Sequence, residues 1–371
     1  MGKRELLLVI GFGVLGIVLY QVTAPPPPPG SEGFSIGHLV QQARRAVQGN
    51  RARADVQSTR TESLDTSIQE LQLTLRSAEL SVLGEDRSDV QFDLTVNSTG
   101  YDEAEAKQHA QATALKIDRA GAAMVVQLKY PPEARQRATL TIKVPSRLRV
   151  RIDAPGGKLT VSRVAALEAA SVGGPTTVSN VTGGVTINQR GVPLTIDGAA
   201  SVRLTGRAGE TKIQRITGAV MVQTAGGELT LSSVTGPVEI DARNTDVRLE
   251  QIKAMKPPLR INATDGSVRI DGLRTEARID GNDTDLEIAL AAPAPVTVYN
   301  TSQDIAVTAP AAGYTIDAVA TDGRITIDDG SIKPTSDATE QRASGSIRGG
   351  GAPLTLRATR GDITVRAPAG K

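Results

Sequence analysis

The sequence predicts a mainly β protein: a single-stranded parallel β-helix, a solenoid of about 18 residues per coil. An N-terminal transmembrane helix and a small mixed α/β cap region precede it. Three observations predict this. Beyond Pro145 the hydrophobic period is two. The same short pattern recurs at a nearly fixed spacing. Aromatic residues are almost missing, with no Trp, three Phe and five Tyr in 371 residues, which suits a narrow core of stacked aliphatic layers.

Residues 1–24 read as a signal-anchor. Lys3 and Arg4 precede a stretch from Leu6 to Tyr20 that is apolar or Gly. Charges placed there favour export of the rest of the chain. A cleaved signal peptide is the rival reading, since Val22-Thr23-Ala24 looks like a small-residue cleavage site. Pro25 just after it disfavours cleavage. Both readings place the bulk of the chain in the cell envelope, on the periplasmic or extracellular side.

Residues 25–60 read as a linker or stalk. Pro25 to Pro29 form a semi-rigid polyproline spacer. Phe34 to Gln57 read as a short helix, with Ile36, Leu39, Val40, Ala43 and Val47 on one face. Arg44, Arg45, Arg51 and Arg53 are solvated, or touch anionic lipid or wall polymer.

Residues 61–145 read as a mixed strand and helix region. Leu71, Leu73 and Leu75 alternate in one strand, Leu80 and Val82 in another, and Val90, Phe92, Leu94 and Val96 in a third. Asp102 to Ile117 favour a helix with Asp102 as N-cap. Strands at Met124–Leu128 and Leu140–Val144 come next. Asn97-Ser98-Thr99 matches a glycosylation sequon and is read as a turn.

Residues 146–371 are the repeat domain. Val181-Thr-Gly-Gly-Val185, Ile216-Thr-Gly-Ala-Val220 and Val234-Thr-Gly-Pro-Val238 set the register. Units open at Leu148, Leu167, Val185, Val202, Val220, Val238, Leu259, Ala277, Val296 and Tyr314, in steps of 17 to 21 residues. Each unit holds two short strands around a turn marked by Gly (Gly157, Gly174, Gly209, Gly227) or Asp (Asp285, Asp304). One unit cannot bury its own apolar face, so units stack. Eleven coils at about 4.8 Å make a rod of roughly 50 Å, right-handed by the general crossover preference. Met255 to Pro258 enlarge one turn. Residues 331–351 read as a polar excursion on the side of the rod. Leu354, Leu356, Ile363 and Val365 supply a final coil. Only the charged Arg360, Asp362, Arg366 and Lys371 mark the C-terminal end.

These residues resemble a known family. A strand-rich start leads through Val144-Pro145 into Leu148-x-Val150-x-Ile152, then Gly-punctuated coils, and closes on Arg360-Gly361-Asp362-Ile363-Thr364-Val365. This resembles the bacterial DUF4097 family of candidate adhesins, over about residues 60–368. The resemblance implies a β-helix with a cell-surface or envelope role, some members being associated with envelope-stress systems. It carries no agreed catalytic or binding residues, so none is transferred. The Pro- and Arg-rich stalk and the 331–351 excursion depart from the family pattern.

The chemistry is read as non-enzymatic, with no catalytic, cofactor or metal residues assigned. There is no Cys, and two His cannot build a three-His zinc site. A formal charge of +2 argues against nucleic acid. Asp280, Asp283 and Asp285, and Asp322, Asp328 and Asp329, are the acidic candidates for a calcium or acid/base site. Each lies beside Gly, Asn or Thr at a coil corner, which is ordinary turn chemistry. Gly33-Phe34-Ser35-Ile36-Gly37 comes after a polyproline spacer rather than a strand, so it is no nucleophile elbow. Gly349 to Gly351 lack the setting of a phosphate loop. The expected function is a membrane-anchored adhesin or envelope scaffold that presents the side of the solenoid to a protein or glycan. The alternatives are a self-associating filament and a carbohydrate-active enzyme.

Overall fold

The computed structural model of the protein describes residues 52–75, 78–131, 136–153, 156–253 and 258–368. The expected anchor, polyproline spacer and Gly33–Gly37 match lie outside these residues, as do His38 and most of the enlarged turn. Among the described residues no helix is long and apolar enough to cross a membrane.

The first part of the chain runs β1 (Ala52–Ser63), β2 (Glu70–Thr74), β3 (Ala78–Glu85), β4 (Asp89–Gly100), α1 (Glu103–Gln111), β5 (Ala114–Ala120), β6 (Ala123–Lys129), β7 (Gln136–Pro145), β8 (Arg149–Asp153) and β9 (Leu159–Ser162). The middle runs β10 (Ala166–Val172), β11 (Thr176–Arg190), β12 (Leu194–Arg207), β13 (Glu210–Ile216), β14 (Val220–Ala225), β15 (Glu228–Val234), β16 (Val238–Glu250), β17 (Leu259–Leu273) and β18 (Ala277–Leu290). The last part runs β19 (Val296–Thr301), β20 (Ile305–Thr308), β21 (Tyr314–Thr321), β22 (Ile325–Ile327), β23 (Thr335–Asp337), β24 (Glu340–Ile347), β25 (Ala352–Thr359) and β26 (Ile363–Arg366).

Two stacks of parallel strands face each other. Sheet I runs β6, β2, β8, β10, then one segment each of β11, β12, β14, β16, β17 and β18, then β19, β25 and β21. Sheet II runs β7, β3, β9, then segments of β11, β12, β13, β15, β16, β17 and β18, then β20, β26 and β22. Thirteen parallel strands in each stack give thirteen coils, a rod of roughly 60 Å at about 4.8 Å per strand. The solenoid therefore starts at Glu70, inside the region read as a cap.

The core is aliphatic, as composition requires. Val150, Leu204, Val222 and Ile240 from sheet I meet Val161, Ile196, Leu231 and Leu249 from sheet II, all at most 1% exposed. Leu167, Val185, Val202, Val220 and Val238 succeed one another in register. The register differs from the expected one at its two ends. Val150, not Leu148, pairs with Leu167, and Leu354, not Tyr314, neighbours Val296.

The Val-Thr-Gly repeat has a steric cause. A Cβ on Gly236 would lie 2.0 Å from the Gly218 carbonyl oxygen of the coil beneath, and one on Gly183 2.5 Å from Ala165 O. Coil backbones approach too closely there for any side chain. The opposite corner needs left-handed backbone, supplied by Asn244, Asp265, Asp283 and Asp322 at φ between 49° and 56°. Short polar side chains tolerate that conformation. Inside the same corner runs a polar row, with Gln189 donating to Thr211 Oγ1 at 3.0 Å and Asn300 Nδ2 to Thr284 O at 2.8 Å.

Several local expectations are corrected. Residues 52–57 are strand rather than helix, because β1 pairs antiparallel with all of β4. Asn97-Ser98-Thr99 is strand, not turn, because β4 is paired on both edges there; Asn97 Nδ2 donates to Asp55 Oδ1 at 2.7 Å. The helix is N-capped by Asp102, which accepts from Glu105 N at 2.8 Å, but it stops at Gln111. Residues 114–120 instead form a hairpin with β6 across Gly121-Ala122, with Gly121 at φ 59°.

At the C-terminal end the last coil in sequence is not the last in space. β25 inserts between β19 and β21, and β26 between β20 and β22. The excursion is not a side loop. Its β24 runs antiparallel on the edge of β21, and β23 pairs with β24.

Candidate interaction surface

The outward side chains form columns along the rod, one residue per coil. On sheet II the charges neutralise one another. Lys212 pairs with Glu210 at 2.5 Å, Arg248 with Glu250 at 2.6 Å, and Arg269 with Glu287 at 2.9 Å. Asp271 lies 3.5 Å from both Arg248 and Arg269. A hydrogen bond from Lys212 holds the Glu210 carboxyl below its usual range, and the same bond raises Lys212.

Sheet I also holds ion pairs, Arg151 with Glu168 at 3.5 Å and Arg357 with Asp317 at 2.5 Å, and adds a polar face. One column reads Thr205, Gln223, Asp241, Asn262, Asp280 and Tyr299. Asn262 Nδ2 donates to Asp241 Oδ1 at 2.7 Å, and Gln223 Nε2 reaches Asp241 Oδ2 at 3.5 Å. Arg278 pairs with Asp280 at 2.9 Å and lies 5.1 Å from the Tyr299 ring centroid. Tyr299, 40% exposed, is the large apolar side chain most open to solvent among the described residues. The next column reads Arg207, Ala225, Arg243 and Thr264. A groove of about 530 Å³ opens at Ala225, lined among others by Gln223, Asp241, Arg243, Asn262 and Thr264. Arg207, Arg243 and Arg260 are exposed and enter no ion pair among the described residues.

The acidic candidates are dispersed into structural roles. Asp280 binds Arg278 on a strand. Asp283 and Asp322 fill left-handed corners, and Asp283 accepts from Gln303 Nε2 at 3.2 Å. Asp285 is an exposed strand residue. Asp328 accepts from Ala367 N at 3.3 Å and Asp329 from Ser331 N at 3.2 Å. The Asp329 carboxyl is lowered by those Ser331 hydrogen bonds. Among the described residues no three His, Asp or Glu side chains are grouped to hold a metal. His109 lies in the last turn of α1, its Nδ1 donating to Thr99 O at 3.1 Å. Gly349 and Gly350, at φ 87° and 80°, form the turn between β24 and β25.

Sequence reasoning missed the arginine column and the roles of Asp304 and Asp362. Asp362 N donates to Asp304 Oδ1 and Asp362 Oδ1 accepts from Arg324 N, each at 2.8 Å. These two carboxylates stitch the inserted coil to both neighbours. The Gly361-Asp362 pair of the closing motif was the visible signal. A Cβ on Gly361 would lie 2.0 Å from Gln303 O.

No curated protein matches the chain. Among solved structures it is similar to a candidate cell adhesion protein of Clostridium sporogenes, at 8% identity over 85% of this chain and 100% of that one, TM-score 0.20. It is also similar to candidate adhesins of Parabacteroides merdae (9% identity, 83% and 95% covered, TM-score 0.29) and Bacteroides fragilis (11%, 84% and 97%, TM-score 0.27). The family profile Toastrack DUF4097 matches residues 68–366, the whole solenoid from its first coil to its last strand, and the chain belongs to that family.

Proposed function

We propose that this protein is a non-enzymatic cell-envelope scaffold or adhesin that presents the outer face of sheet I to a partner. Residues 1–24 anchor it in the membrane, and the Pro-rich stalk lifts the rod away from it. The bulk lies on the exported side. It uses no cofactor and no nucleic acid. One observation carries this reading. At the N-terminal end antiparallel strands cover both sheets, β5 on sheet I and β4 with β1 on sheet II, and at the C-terminal end β24 with β23 covers sheet I. Such strands blunt the edges on which a further coil would stack. The sides are left as the extended surfaces.

Electron microscopy of the purified protein tests it. Discrete rods of roughly 60 Å are expected, and end-to-end filaments would overturn the reading. Released sugar in depolymerisation assays, with or without calcium, would overturn its non-enzymatic part.

A further inference from the structure

We propose that the groove on sheet I binds an anionic polysaccharide, a chain whose sugars carry carboxylate or phosphate groups. This rests on the side-face reading and names the ligand class for that face.

The groove opens where one coil carries Ala between coils that carry Arg, with Arg243 in its lining and Arg207 flanking it next to Gly206. Ala225 sits between Arg207 and Arg243 in register. Two strand spacings separate those arginines along the rod, about 10 Å. Their guanidinium groups enter no ion pair among the described residues. Guanidinium recognises carboxylate and phosphate with paired donors. Arg248 and Arg269 of sheet II, by contrast, are already committed to Glu250, Asp271 and Glu287.

The groove's other wall selects a sugar over a bare polyanion. Asp241 lies in the same groove, fixed by Asn262 and Gln223. A carboxylate repels a ligand that carries only negative charge. It accepts hydrogen bonds from hydroxyl groups, and the two amides have further donor and acceptor capacity. Anionic groups against Arg207 and Arg243, with hydroxyls against Asp241, describe an acidic glycan. The column continues coil by coil through Asp280 to Tyr299, which suits a polymer lying along the rod.

The test is calorimetric titration of the full-length chain in detergent with polygalacturonate and with phosphorylated dextran, which separate the two anion sources. Dextran and polyphosphate are the uncharged and sugar-free comparators. Binding of at least one acidic glycan is expected, with dextran and polyphosphate weaker by roughly ten-fold or more. Arg207→Gln with Arg243→Gln should lose a similar factor, while Arg269→Gln on sheet II stays within about two-fold. Ala225→Arg separates groove from charge: it adds a cation but fills the gap. Weaker binding supports the site, and tighter binding overturns it. Polyphosphate bound as tightly as the glycans also overturns it. Unchanged melting curves show that the variants fold. Absence of glycan binding by discrete rods defeats this inference alone. Filaments that still bind through Arg243 defeat only the parent reading.

Discussion

The two ends of the rod solve one problem with different amounts of material. At the N-terminal end both sheets are covered. β5 runs antiparallel on β6, β4 runs antiparallel on β7, and β1 adds a further strand along all of β4. Phe92, 1% exposed, fills the space beneath. At the C-terminal end only sheet I gains an antiparallel cover, β24, and sheet II ends on the three-residue β22. Compensation there comes from threading, since β25 and β26 are each paired on both edges. A solenoid end can be closed by adding strands or by burying the coil that would otherwise be outermost.

Removing 352–366 should break the comparison most sharply. Leu354, Leu356, Ile363 and Val365 are at most 1% exposed, and each is worth roughly 1.5–3 kcal/mol. Hydrogen exchange should show β19 to β22 unprotected while β8 to β18 stay protected. Removing 52–63 from the other end should leave every coil protected. Equal loss from both deletions would show that threading contributes nothing special.

Leu356→Ala comes next, at about 2–5 kcal/mol in chemical denaturation. Leu94→Ala, in the N-terminal cover and 5% exposed, should cost less. Asp362→Ala is smaller, about 1 kcal/mol for the lost acceptor of Arg324 N. Its signature is local, with faster exchange at Arg324 and little change in β1.

The smallest effect is acid sensitivity of the N-terminal cover. Asp93 is held below the ordinary carboxylate range by hydrogen bonds from Gln91 and then Thr59, with the Lys143 charge assisting. A depressed folded value contributes stability above the unfolded pKa, about 3.9, and that contribution is lost as pH falls through the folded value. Protection factors at β1, taken relative to intrinsic exchange at each pH, should therefore fall on acidification below about pH 4, and less so in Asp93→Asn. An unchanged acid response in that variant would assign the effect elsewhere.

The coils from Leu167 to Val296 were legible because each inward residue recurs one coil later in sequence as well as in space. That link fails at both ends. β2 pairs with β6 and β8, and β3 with β7 and β9, across the intervening β4, α1 and β5. Residues 70–85 and 123–145 therefore carry strand alternation without showing which strands are neighbours. β25 likewise looks like the next coil after β21, and nothing local announces that it belongs beneath it. Corner glycines were visible, but the reason at Gly236 and Gly361 is a carbonyl oxygen that a Cβ there would approach to 2.0 Å, rather than backbone freedom. The groove was hidden because Arg207, Ala225 and Arg243 lie 18 residues apart in steps and become a column only once register is known.

The threaded coil also sets how the rod answers a pull. A force on residues beyond Arg366 does not meet a free outer strand that could unzip one hydrogen bond at a time. It loads β26 between β20 and β22, so the pairs on both edges must slide together, in shear. That arrangement places the weakest link elsewhere than at β26.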